Sequence, residues 1–101
     1  MKKDAYKITV AVWLYPSNYA SWHFVTVPKI ESAHISKKYA SFKKGWGSLP
    51  VSVTLGKTEW KTSIFPDSKS GTYILPLKAL IRKKEGIGVG DKVILSFSIV
   101  N

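Results

Sequence analysis

Lys78 and Arg82 stand four residues apart in "PLKALIRKKEG", a segment whose apolar spacing predicts a helix. Two like charges at that spacing cost a helix about 0.2–0.5 kcal/mol, so a compensating negative charge is expected beside them. An internal carboxylate such as Asp91 or Glu59 would supply it, as would a bound anion. A second concentration of chemistry lies in "GWGSLPVSVTLGKTEWKTSIFP", residues 45–66. It combines the indoles of Trp46 and Trp60 with the hydroxyls of Thr62 and Ser63. Together these six residues are candidates for a pocket with aromatic walls and a cationic anchor for an anionic ligand. The competing reading of the same residues is a packed hairpin, with Arg82 held by an acid.

A third cluster, "KKYASFKKGWG", interleaves Lys37, Lys38, Lys43 and Lys44 with Tyr39, Phe42 and Trp46. Cations mixed with ring faces are what single-stranded nucleic-acid binders present to phosphates and bases. Rings at a loop beside a small core also complete its packing, with the lysines facing water. The chain carries 16 basic against 6 acidic residues, a formal charge of +10 that favours anionic partners. Arg82 is the one arginine among them, and lysines spread over a surface often serve solubility alone.

Other chemistries are poorly provided for. The chain has no cysteine and two histidines, His23 and His34, without acids at ligand spacing, so neither a metal nor a disulfide is expected. Ser63 or Thr62 would need a general base as nucleophile, and nothing in the spacing of the acids or histidines selects one. "GWGSLP" and "GIGVGD" both lead into strands and read as turns, since a phosphate loop opens a helix. The expectation is a non-enzymatic binding module without cofactor, engaging an anionic partner with nucleic acid as the leading class. The alternatives are a small anionic-ligand pocket and a protein-interaction or accessory domain.

The elements that must position these residues are mainly strands. Apolar alternation places strands near residues 5–15, 21–27, 49–55, 58–65, 72–75 and 92–100, clearest at Val51, Val53, Leu55 and at Val93, Leu95, Phe97, Ile99. A short helix is expected after Pro28, with Ile30, Ala33 and His34 on one face. A second opens at Pro76, packs through Leu77, Leu80 and Ile81, and ends at Gly86. Gly56-Lys57 reads as a tight hairpin turn. The order strand, proline, short helix, glycine turn, strand occurs twice, with Val27-Pro28 matching Leu75-Pro76 and the strand at Val51 matching that at Val93. Two such halves about a pseudo-twofold axis make a small double-split β-barrel, a single domain over residues 1–101 that closes as a monomer. The start, "MKKDAYKITVAVWLYP", alternates as a strand does and lacks a cleavage site. No run reaches the ~20 apolar residues of a membrane span, so a cytoplasmic location is expected.

The second half, with Pro76, Lys78, Arg82 and Gly90-Asp91, resembles the AbrB and MazE swapped-hairpin family. There two short chains build one barrel and the dimer binds DNA, whereas this chain carries both halves. Over nearly its whole length the chain looks like the domain of unknown function 1905 family of small bacterial proteins. The likeness rests on Trp22, Val25 and Pro28, on Gly45-Trp46-Gly47 with Val51, and on the run Trp60 to Pro66. Leu75-Pro76, Lys78, Arg82 and Gly90-Asp91 extend it. The resemblance implies a related double-split barrel and no particular chemistry.

Overall fold

The computed structural model describes residues 5–15, 22–42 and 47–100. Within them lie β1 (Ala5–Ala11), β2 (Trp13–Tyr15), β3 (Trp22–Val27), α1 (Lys29–Lys38), β4 (Leu49–Leu55), β5 (Thr58–Asp67), β6 (Thr72–Pro76), α2 (Ala79–Glu85) and β7 (Lys92–Ile99). The sheet order is β1-β7-β4-β5-β6-β3-β2, with every neighbouring pair antiparallel. Its two ends, β1 and β2, are separated in the chain by Val12 alone. One bent strand therefore carries both ends, and the sheet curls into an antiparallel half-barrel flanked by two helices. At the bend the Val12 N–H donates to the Asp91 carbonyl (3.0 Å) and the Val12 carbonyl accepts from Gly90 (2.8 Å). Backbone pairing thus continues through the bend, as a buried segment requires.

The alternating residues of β4 and β7 meet in one apolar cluster that also takes in Val25, Val27, Ile64 and Leu75. The first helix starts after Pro28 as expected, whereas the second differs from expectation in its start and its buried face. Pro76 completes β6 opposite Phe24, at a strand end where a missing N–H is tolerated, and α2 begins only at Ala79 after the extended residue Lys78. Leu77 and Ile81 are buried, whereas Leu80 points to solvent. In α1 the face shared by Ile30, Ala33 and His34 is exposed, as are Lys29, Lys37 and Lys38, and the buried residues are Ser32 and Ile35. Ser32 faces inward because its hydroxyl joins two strands: Oγ donates to the Val27 carbonyl (2.9 Å) and accepts from the Tyr73 N–H (3.0 Å). Among the described residues no helix is long and apolar enough to cross a membrane.

The repeat reaches further than strand-helix-strand. Exchanging the bent strand β1/β2 with β5, β3 with β6, and β4 with β7 maps the sheet order onto itself. The bent strand pairs with β7 through 5–11 and with β3 through 13–15. In the same way β5 pairs with β4 through 58–64 and with β6 through 65–67. Each helix is also tied to the start of the long strand of its own half, α1 by His34 to Tyr6 and α2 by Glu85 to Thr58.

That second tie rests on a glycine. Gly56 turns the β4–β5 hairpin at φ +60°, and a Cβ there would run into the Glu85 carboxylate. Gly71 has φ +71° with open space around it. Each Gly→Ala substitution is expected to cost about 1–2 kcal/mol for the left-handed backbone. Gly56→Ala should lose more in urea unfolding than Gly71→Ala, and Glu85→Ala in the same chain should cancel the excess. Equal losses would mean that Glu85 does not clamp the turn.

Candidate functional site

Residues directly opposite each other in an antiparallel pair share a face, as do residues two apart along a strand. By that rule Val25, Val27, Tyr73 and Leu75 form the inner face of the β2-β3-β6-β5 region, and all are buried. The outer face carries Trp13 opposite Phe24, Phe24 opposite Pro76, Tyr15 opposite Trp22, and Ile74 opposite both Thr26 and Phe65. The sheet therefore turns a set of rings toward solvent. Trp22 is 53% exposed, Tyr15 51% and Phe65 39%. Their orientations are set by mutual contact: Trp13 and Phe24 lie 5.3 Å apart between centroids, and Tyr15 meets Phe24 edge-on at 6.4 Å. The Trp13 indole N–H donates to Thr26 Oγ1 (2.9 Å), holding that ring across β3.

Where β5 leaves β6 beyond Ile74, the approach to α2 opens a hollow of about 510 Å3. Trp22, Phe24, Phe65 and Ile74 wall it, and Lys78, Ala79 and Arg82 form one end. Arg82 is held from behind. Its Nε donates to the Leu77 carbonyl (3.1 Å) and Nη1 lies 3.4 Å from His23 Nε2, while the Leu77 N–H donates to the His23 carbonyl (2.8 Å). The guanidinium plane is thereby oriented in an apolar surround, and no Asp or Glu lines the hollow among the described residues. The acids first considered as its partners sit elsewhere. Asp91 accepts from the Gly88 N–H (2.8 Å) in its own turn, and Glu59 is an exposed strand residue opposite Thr54.

Of the residues singled out in the sequence, Thr62, Lys78 and Arg82 line this one hollow. Ser63 falls on the opposite face of β5 from Thr62, opposite Pro50, and is not among its lining residues. Trp60 packs against the core instead, with its indole nitrogen buried and unpartnered. Trp46, Lys43 and Lys44 lie outside the described residues. Gly47 does approach β5, since a Cβ on it would meet the Pro66 ring at 3.2 Å. Lys37 lines a different hollow of about 830 Å3 with Ser36, Asp67 and Ser68. The ammonium of Lys38 lies 5.6 Å from the centroid of the Tyr39 ring. Trp22, Phe24 and Tyr15 were missed as site residues. The signal was present in "WHFVTV", where Val25 and Val27 mark the core face and leave Trp22 and Phe24 on the side that water should occupy.

On the other side of the molecule the Tyr6 hydroxyl lies 2.7 Å from His34 Nδ1, and its ring stacks on Phe97 at 5.4 Å. Burial, followed by the neighbouring Tyr39 hydroxyl, raises the Tyr6 pKa to about 12. The phenol therefore stays protonated at neutral pH. Among the described residues no three His, Cys, Asp or Glu side chains group to hold a metal ion.

These features define a small β-rich, barrel-like domain with an aromatic cleft on its outer face. A family model described as a domain of unknown function (DUF1905) matches residues 9–96, and the chain belongs to that family. No curated protein matches it.

Tyr6 makes alkaline stability a test of the α1 contact. Its folded pKa lies above the ordinary 10.0, so its contribution is complete below pH 10.0 and is lost as the pH rises through about 12. Urea unfolding across that window should show the wild type losing stability more steeply than Tyr6→Phe. Parallel curves would mean that this phenol titrates normally.

Proposed function

We propose that the chain is a non-enzymatic binding module that engages an anionic partner in the cleft between Lys78, Arg82 and the outer aromatic face. The observation that carries this reading is the held guanidinium of Arg82, facing a largely apolar hollow that no carboxylate lines among the described residues. A fixed cation in a low-dielectric wall attracts an anion more strongly than one in water, and it requires no reorganisation when the anion arrives. The excess charge of +10 makes nucleic acid the leading class of partner. A small planar anion is the second reading, favoured by the hollow's volume, which falls among those of ligand sites.

In this reading the module is a cytoplasmic monomer and a double-split barrel of the AbrB-like kind. The exchange symmetry of the sheet supports the barrel assignment, because equivalent strands β3 and β6, and likewise β4 and β7, pair with each other. The absence of cysteine suits a reducing compartment. Lys37 and Lys38 stand on α1, apart from the cleft, and would add only long-range attraction.

Thermal shift and titration with a nucleoside monophosphate and with pyrophosphate test the anchor. A charge-assisted hydrogen bond is worth about 1.5–3 kcal/mol, so Arg82→Ala should weaken binding by roughly ten- to a hundredfold. Lys78→Ala should weaken it less, since Lys78 is exposed. Anion binding indifferent to both substitutions would remove the cleft as the site.

A further inference from the structure

The aromatic cleft does not end at its own walls. A second hollow, of about 340 Å3 and lined by Tyr15, Trp22, Phe24 and Ile74, shares Trp22, Phe24 and Ile74 with the first. The two form one groove that starts at Lys78 and Arg82 and runs across β6 and β3 to β2. Trp22 and Phe24 hold their rings within 12° of parallel at 6.5 Å between centroids. Tyr15 stands beyond them, opposite Trp22 in the pairing of β2 with β3. We infer that this groove is a stacking platform for single-stranded nucleic acid, with bases on the rings of Trp22, Phe24 and Tyr15 and two phosphates contacted by Lys78 and Arg82. The inference rests on the reading of the cleft as an anion site.

Three observations select this occupant. The rings are anchored by one another, yet Trp22 and Tyr15 remain about half exposed and Phe24 is partly exposed between them, so the groove covers one side of whatever lies in it. A pocket ligand is enclosed over most of its surface, whereas a strand lying on a platform needs only one face of each base covered. The groove also has length, which a polymer of flat groups uses and a single ring does not. Its charge is one-sided as well: no Asp or Glu lines either hollow among the described residues, two cations stand at one end, and the chain carries +10. A duplex would not use the rings, because its bases are stacked on each other and paired.

The test uses the full chain, with tryptophan fluorescence and anisotropy read against thymidine monophosphate, oligothymidylates of increasing length, and a duplex of matched length. Affinity is expected to rise from the mononucleotide through the short oligomers, level off once the groove is filled, and be weak for the duplex. Trp22→Ala and Tyr15→Ala should each weaken oligomer binding by about tenfold, in proteins whose unfolding midpoints stay near the wild-type value. With two phosphate contacts, affinity should fall about sevenfold between roughly 50 and 200 mM salt, and Arg82→Ala should reduce the logarithmic slope by about 0.7. If the mononucleotide binds as tightly as any oligomer and still depends on Arg82, the cleft stands as a small-anion site and the platform is wrong. Duplex binding equal to single-strand binding overturns it too, as does oligomer binding indifferent to Trp22. A dimer in light scattering that Trp22→Ala dissolves, with no oligomer bound, assigns the face to a second copy of the chain. Failure of every anion to bind would remove the cleft reading together with this one.

Discussion

Val12 alone separates the first strand of the sheet order from the last, and this short connection constrains everything around it. A sheet whose two ends belong to one bent strand cannot lie flat, so its inner face is forced around a single core. The buried valines, leucines and isoleucines of β3, β4, β6 and β7 fill that space. The bend leaves no orphaned backbone groups at Val12, because the Asp91 carbonyl takes up its N–H and the Gly90 N–H donates to its carbonyl. Its counterpart is β5, which changes partner between Ile64 and Phe65 just as the first strand does at Val12. A strand that leaves one neighbour for another must open a gap beside the neighbour it leaves. The cleft at Lys78 and Arg82 is that gap on the β5 side.

The helices serve this geometry by closing polar accounts beside such openings. Ser32 satisfies the Val27 carbonyl where β3 ends and the Tyr73 N–H on β6. A buried hydroxyl with both partners in place is neutral or better, while either backbone group left alone would cost about 1–3 kcal/mol. On the other helix Arg82 plays a comparable role toward the Leu77 carbonyl, but it does so with a charged group. One hydrogen bond consumes a small part of a guanidinium's donor capacity. Together with the Nη1 contact to His23, that bond fixes how the guanidinium plane is turned.

Most of the fold was legible because the strands alternate cleanly and the turns are marked by glycine. Val51 to Leu55 and Val93 to Ile99 needed only a period of two, and Gly86 ends α2 in the left-handed conformation expected of it. The helix faces were less legible. "KIESAHISKK" has no apolar stripe strong enough to outweigh a serine whose value lies in two backbone partners forty-one and five residues away in the chain. Ile30 and Leu80 look like core residues by type and are exposed because their helices rest on the sheet over little more than one turn. The cleft was half legible. Lys78, Arg82 and Thr62 stand out by type and spacing, but the rings that face them come from β3, distant in sequence, and become neighbours only through the pairing of β3 with β6.

The internal symmetry sharpens what is special about that face. The β1-β7-β4-β5 region presents outward rows of Ala5, Ser98, Ser52 and Lys61, and of Lys7, Ser96, Thr54 and Glu59. These are small, polar or charged side chains, as a solvated sheet surface should have, with Ile94 opposite Thr9 the one large apolar exception on β7. The β2-β3-β6-β5 region presents Trp13, Phe24 and Pro76 in one row and Tyr15 and Trp22 in the next. Both surfaces are four-stranded and antiparallel, and each is centred on a pair of equivalent strands, so the backbone gives neither a reason to be apolar. Folding does not account for the rings either, since Trp22 and Tyr15 keep about half their surface in water. Exposed aromatic surface of this kind gains its free energy only when something covers it. The asymmetry between two equivalent sheet faces is therefore the feature on which the proposed binding reading rests, at the face where the chain has also set its one arginine.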